Sequence, residues 1–354
     1  PPSKPSNEQI YFIGACNVPL DALDPALTRP GRLGRHVWFR TPTKVDRLDI
    51  FDLYLGKVAH EADLDAPSRR DELARITNGY SPAMIEQVCS MALTKAHHEG
   101  RLRFGWTDVV ESLTTVESGT AVGVEYVDTE SRAVAIHEAG HAVCAHVFMK
   151  GAESTRLSIR MRGGSLGHHQ AMEKEERFSR FRSEMVGRLI WGLGAMAAER
   201  VFYGENSNGV GGDVQSVTTT AAVMVGLAGM PPERVDLRDR FRTRFDEDEA
   251  RQKIDERFQK LGSQIMARSS TPTDGIGPIL GDPGKRRDAA ILLGQAYMAA
   301  YHLVLANRDA VEHVANVLME RKELYGDEVV ELLDSLDLQV PEIDLTEERA
   351  WPPM

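Results

Sequence analysis

Residues 128–150 form one unbroken helical pattern with His137-Glu138-Ala139-Gly140-His141 at its centre. The ends are marked: Asp128-Thr129-Glu130-Ser131 supplies capping residues and an early acid, and Lys150-Gly151 supplies a basic last turn and a stop. Between them lie Ala133, Val134, Ala135, Ile136, Val143 and Val147, so the helix reads as a buried element. Two histidines satisfied on a solvated surface would not sit in such company. Imidazoles at i and i+4 share one helix face, close enough to share a metal ion, and Glu138 projects beside them toward a water on that ion.

Nitrogen ligands, the absence of any redox requirement and a coordination position left for water point to Zn2+. Such an ion lowers the pKa of its water from about 15.7 to roughly 7. Glu138 is then the base that takes the proton, and the predicted reaction is hydrolysis of a peptide bond without a covalent intermediate. A catalytic zinc needs a third protein ligand. His146 lies five residues after His141, whereas the long metzincin motif places its third histidine six residues on, and Cys144 stands where that motif has glycine. Glu199 on a second helix and Asp213 at the head of the next both remain open. Spacing does not choose between them, and Asp213 also suits a helix cap.

The chain's 354 residues exceed a common domain length, so two domains or more are expected. Forty-two Lys and Arg against 53 Asp and Glu leave a net charge of -11, which disfavours nucleic acid as a partner. Cys16, Cys89 and Cys144 are far apart, without the paired spacing of a disulfide framework or a cysteine zinc site. No run of about 18 apolar residues occurs, and PPSKPSNEQ lacks the basic and apolar regions of a signal peptide, so this stretch is expected neither to span a membrane nor to carry a secretion signal.

Along the chain, 10–15 reads as a buried strand with almost nothing before it, as though the end of a larger α/β domain. Helical patterns follow over 45–55, 70–77, 82–98 and 106–113, then a small polar stretch at 114–127 that reads as a linker. Beyond the 128–150 helix, Thr155–Met161 alternates like a half-exposed strand and turns through glycines toward a partner near 165–172. Extended substrate could add to that strand beside Leu157 and Ile159. Helices are expected over 177–203, 213–227, 246–267, 285–307, 309–321 and 326–336, a Gly/Pro-rich loop over 271–284, and a loose acidic tail at the end.

The segment Phe12-Ile-Gly-Ala-Cys-Asn17, with Asp24-Pro25 and Arg29-Pro30-Gly31-Arg32-Leu33-Gly34-Arg35 after it, resembles the second region of homology of AAA ATPases. Thr77-Asn-Gly-Tyr-Ser-Pro-Ala-Met-Ile resembles the turn and helix of the AAA lid. This order, followed by HEAGH in a helical domain, is similar to the FtsH family of ATP-dependent zinc metalloproteases. The resemblance implies a mainly α fold: the end of an AAA α/β subdomain at 1–44, a helical lid at 45–113, the linker, a zinc metallopeptidase domain with a small β element at 128–338, and the tail at 339–354. It implies Asp213, after Gly211-Gly212, as third zinc ligand and Glu199 as an acid behind the ligands. It implies Asn17 as a sensor near the γ-phosphate of ATP, with Arg32 and Arg35 reaching a neighbouring subunit's nucleotide, where permanent guanidinium charges match phosphate oxygens.

By the same resemblance the intact protein is a homo-hexamer using ATP and Mg2+, anchored in a membrane through N-terminal segments, with these domains on the cytoplasmic, stromal or matrix side. Its substrates are unfolded or membrane-extracted proteins. The sequence departs from the family in three places. It holds no GxxxxGK[ST] phosphate loop, Gly34 stands where Asp is usual, and 231–284 differs from the usual substrate-side loop. A non-proteolytic chaperone or scaffold with a vestigial site is the rival from another class, and an ATPase-independent zinc peptidase the rival within this one.

Overall fold

The computed structural model describes residues 12–119, 127–162, 167–174, 179–237, 240–241, 243–269 and 276–352, in two units that divide between Thr41 and Pro42. In the first unit a 3-10 turn at Leu20–Ala22 precedes a short helix, α1 (Pro25–Thr28), whose Asp24 cap accepts from the Ala26 amide. The strand expected at 10–15 is not formed over its described residues 12–15, and Phe12 and Ile13 stand exposed. A lone apolar run finds no ladder partner among the described residues of this unit, and a strand exists only through its neighbours. Residues 10 and 11 lie outside the described residues.

The second unit opens with four helices: α2 (Lys44–Leu55), α3 (Pro67–Ile76), α4 (Pro82–His98) and α5 (Trp106–Ser118). Thr43 and Asp46 cap α2 reciprocally, and Ser81 caps α4 ahead of a proline. Phe51, Leu55, Leu73, Ile85, Val88 and Val109 bury their faces together. The last helix runs past the expected end at 113 into the stretch read as a linker, whose residues 120–126 lie outside the described residues.

Helix α6 (Asp128–Phe148) leads into β1 (Ala152–Ser158) and β2 (His168–Glu173). After these come α7 (Arg182–Tyr203), α8 (Gly211–Gly226), α9 (Arg244–Met266), α10 (Gly277–Gly281), α11 (Pro283–Ala306) and α12 (Arg308–Arg321). A short β3 (Glu323–Tyr325) and α13 (Asp327–Asp334) complete the elements that bear on the site. The architecture is mainly α with one small sheet. Its strands are antiparallel in the order β2-β1-β3.

Two expectations are corrected here. β1 is the central strand, buried on both faces from Ser154 to Ser158, and from Arg156 to Ser158 it is paired on one side with β2 and on the other with β3, so Leu157 offers no edge for an added substrate strand. Its alternation reflects two chemically different neighbours: Leu157 enters the main core, while Arg156 pairs with Glu117 of α5 at 3.1 Å. The tail is also docked rather than loose. Trp351 packs on Phe258 with ring centroids 5.1 Å apart, and His302 donates to the Ala350 carbonyl at 2.6 Å. The 271–284 loop contains α10, with 271–275 outside the described residues. Helix α11 is apolar and long enough to cross a membrane by composition, but it lies mostly buried against α7, α8 and α9, as a core helix does.

Where α6 crosses α7, Gly140 and Gly194 face each other so closely that a Cβ on either would lie 2.5 Å from the other's carbonyl oxygen. Both backbones would have to retreat to admit a methyl group. Gly140→Ala should therefore cost about 2 kcal/mol or more of folding stability by overpacking. Gly281→Ala, where nothing lies within 4 Å, should stay within about 1 kcal/mol of the parent. Urea unfolding of both variants checks the contrast, and equal midpoints would refute it.

Candidate metal centre

The central turns of α6 place His137 and His141 on one face, toward the first turn of α8. Asp213 Oδ2 lies 3.2 Å from His137 Nε2 and 3.3 Å from His141 Nε2. Separations of about 3.3 Å suit ligand atoms that share a tetrahedral ion with bonds near 2.0–2.1 Å, and all three ligand atoms lie within 4.8 Å of one another. Among the described residues these three form the one group of His, Cys, Asp or Glu side chains able to hold a metal ion. His146 instead faces Asp334 at 3.7 Å, and burial pushes the Cys144 thiol up to about 12, which leaves it an inert core residue.

Each imidazole is turned by a bond on its other nitrogen. His137 Nδ1 donates to Glu199 Oε1 at 2.8 Å, and His141 Nδ1 donates to the Trp191 carbonyl at 2.8 Å. With Nδ1 engaged in both rings, Nε2 is the atom each ring turns toward Asp213, and loss of its proton frees a lone pair there for a metal ion. Glu199 is itself held by Ser207, whose amide donates to Oε2 at 2.6 Å and whose hydroxyl donates to Oε1 at 2.9 Å. The glycine-rich loop that carries the chain to Asp213 is thus tied to the acid behind His137. Sequence spacing left Glu199 and Asp213 open as third ligand. The geometry separates them, since Asp213 faces both Nε2 atoms and Glu199 faces Nδ1.

The two acids nearest the ligands differ in character. Burial would raise Glu199, but hydrogen bonds from His137 and Ser207 hold it below the usual range as a carboxylate. Glu138, four per cent exposed, is pushed up by burial against the pull of the two histidines. Its oxygen lies so near Gly167 that a Cβ there would come within 2.5 Å of Oε1. Burial alone would lower His137, yet bonds to Asp213 and Glu199 carry it up to about 10, while the histidines hold Asp213 far below its ordinary value.

Asn17, Arg32 and Arg35 belong to the first unit and are exposed there, with Arg32 Nη1 donating to the Ala26 carbonyl at 2.7 Å. Sequence reasoning missed Trp191, whose contribution is a main-chain carbonyl that no side-chain pattern announces, and Ser207, read only as loop. His168 lines a small cleft with Arg156 and Arg160, and burial lowers it to about 4. His169 is buried behind His141.

Residues 125–266, which span this centre, match peptidase family M41. The chain carries an FtsH-family peptidase domain. It is 30% identical over 333 residues to ATP-dependent zinc metalloprotease FtsH 3 of Symbiobacterium thermophilum, covering 94% of this chain and 49% of that protein. It is 30% identical over 332 residues to FtsH 4 of Sphaerobacter thermophilus, covering 92% and 46%, and 27% identical over 342 residues to FtsH of Akkermansia muciniphila, covering 96% and 39%. The chain thus spans half or less of the length of these relatives. The M41 domain's His-His-Asp triad matches the zinc site that their names imply.

Metal must displace protons from this cluster. His137, carried up to about 10 without metal, is protonated at neutral pH, whereas ligation needs its Nε2 free. Zinc binding to the metal-free chain should release about one proton at pH 7, and apparent affinity should fall about tenfold per pH unit as acidity increases below that value. Calorimetry in two buffers of different ionisation heat measures the release. Zinc uptake with no proton released would refute the assignment.

Proposed function

We propose that this chain carries the proteolytic centre of a zinc endopeptidase, with His137, His141 and Asp213 as metal ligands and Glu138 as general base. One observation carries the reading: three ligand atoms converge while both distal imidazole nitrogens are already engaged, and a buried carboxyl stands next in sequence to the first ligand. Bound there, zinc would polarise a peptide carbonyl and acidify water in its open position. Glu138, its proton affinity raised by burial, takes a proton from the attacking water and passes it to the departing amide nitrogen. Glu199 and the Trp191 carbonyl keep the imidazoles in one tautomer and orientation throughout.

A vestigial site in a non-proteolytic scaffold would have no reason to retain all three ligands, their partners and Glu138 together. The relatives' names make ATP dependence part of the proposal. In the intact homo-hexamer, ATP and Mg2+ lie between subunits, Asn17 senses the γ-phosphate, and Arg32 and Arg35 meet a neighbour's nucleotide. The ring feeds unfolded or membrane-extracted proteins to the M41 domain and is anchored to a membrane. Residues 45–113 serve as lid, 128–338 as peptidase.

Glu138→Gln should keep zinc at parental content and lose at least about 100-fold in chelator-sensitive cleavage of unfolded casein. Asp213→Asn should instead lose zinc, read by metal analysis after dialysis. Full cleavage by the Glu138 variant, or full zinc retention by the Asp213 variant, would overturn the corresponding role.

A further inference from the structure

The histidine pair 168–169 has no part in the chemistry above, yet His169 is six per cent exposed and both its ring nitrogens are engaged. Trp191 Nε1 lies 2.8 Å from His169 Nδ1, and Ser154 Oγ lies 2.8 Å from His169 Nε2. An indole N–H only donates. His169 Nδ1 must therefore accept, which leaves Nε2–H to donate to Ser154 and sets the tautomer without ambiguity.

Trp191 is the residue whose carbonyl receives His141 Nδ1–H. It lies well inside α7, so that carbonyl also serves the helix ladder, and the imidazole must share an acceptor already in use. The rings close around the same point: His169 lies nearly parallel to His141, at 15° with centroids 6.3 Å apart, and Trp191 stands 6.2 Å from His141 at 60°. His141 thus occupies a corner whose two walls are bonded to each other, one wall on β2 and the other on α7.

We propose that His169 and Trp191 are a positioning pair for His141, the indole–imidazole bond pinning α7 to β2 at the carbonyl that orients this metal ligand. Neither residue belongs to the group of side chains able to hold the ion, so both act through His141. This inference rests on the metal-site reading above.

The test is a double-mutant cycle on zinc affinity in the full chain, read by competition with a chromophoric chelator. His169→Leu and Trp191→Phe should each weaken zinc binding about tenfold, the lower end of what loss of a supporting partner costs a metal site. The double variant should lose little more than either alone, because one bond is removed in all three. Trp191→Phe keeps an aromatic wall and deletes the donor, so it decides the matter if His169→Leu fails to fold. Affinity within twofold of the parent for the folded variants, or losses that multiply in the double variant, would overturn the pairing. A purely structural role would lower the unfolding temperature of the metal-free chain and leave the affinity unchanged. A parent chain that binds no zinc would instead defeat the metal-site reading itself.

Discussion

The metal centre depends on how closely α6 and α7 approach. Helices carrying ordinary side chains pack with axes about 8–10 Å apart. Here Gly140 and Gly194 remove the side chains at the crossing, and the backbones meet. The functional groups lie within about a turn and a half of that contact on each helix: His137 and His141 flank Gly140, and Trp191 and Glu199 lie on either side of Gly194. A wider crossing would carry the Trp191 carbonyl and the Glu199 carboxylate out of reach of the two Nδ1 atoms. The imidazoles would then be free to spin about χ2, and a ligand that must be oriented at the moment of binding costs affinity.

Given that framework, the charges sort themselves by environment. Glu199 and Glu138 are both four per cent exposed, one bonded to His137 and the other next to it in sequence, yet their carboxyls respond in opposite directions. Glu199 collects three hydrogen bonds and stays ionised, which suits an acid that must keep a histidine N–H in place. For Glu138 burial is the largest influence, stronger than the pull of the two histidines, and its affinity for a proton rises. Two carboxyls of one residue type thus take two roles through their surroundings alone. In the metal-free chain, protons on the imidazoles balance Asp213, and a divalent cation replaces that balance with a stronger one.

Much of this was legible before any coordinates, because helix periodicity and end signals are local. The 128–150 helix, its two histidines and Glu138 follow from spacing, and the observed α6 ends within two residues of expectation. The ambiguity between Glu199 and Asp213 was real, since sequence distance does not say which side of an imidazole a carboxylate will approach. What stayed hidden was non-local. β3 is three residues long and exists only because β1 lies beside it, and the Trp191 carbonyl belongs to no residue type. Over 12–15 the expected strand failed for the opposite reason: the apolar character suits a strand, but it finds no partner among the described residues.

The same sheet ties the chemistry to the helices that precede it. On one face Leu157 packs into the core shared with α6, and on the other Arg156 is held by Glu117 of α5. Glu117 also accepts from Tyr80 at 2.7 Å and from Gln170 of β2 at 3.3 Å. Arg75 of α3 reaches Glu153 and Asp327, bracketing β1 from its start to the head of α13. Arg156 is one of the positive groups that oppose the rise in Glu138's proton affinity, and β2 begins next to Gly167, where an added Cβ would lie 2.5 Å from Glu138 Oε1. The proton affinity of the proposed base is therefore set partly by a guanidinium that the first helices of this unit hold in place. Through Glu117, residues 42–118 thus hold in place one of the weaker charges that bear on the Glu138 carboxyl.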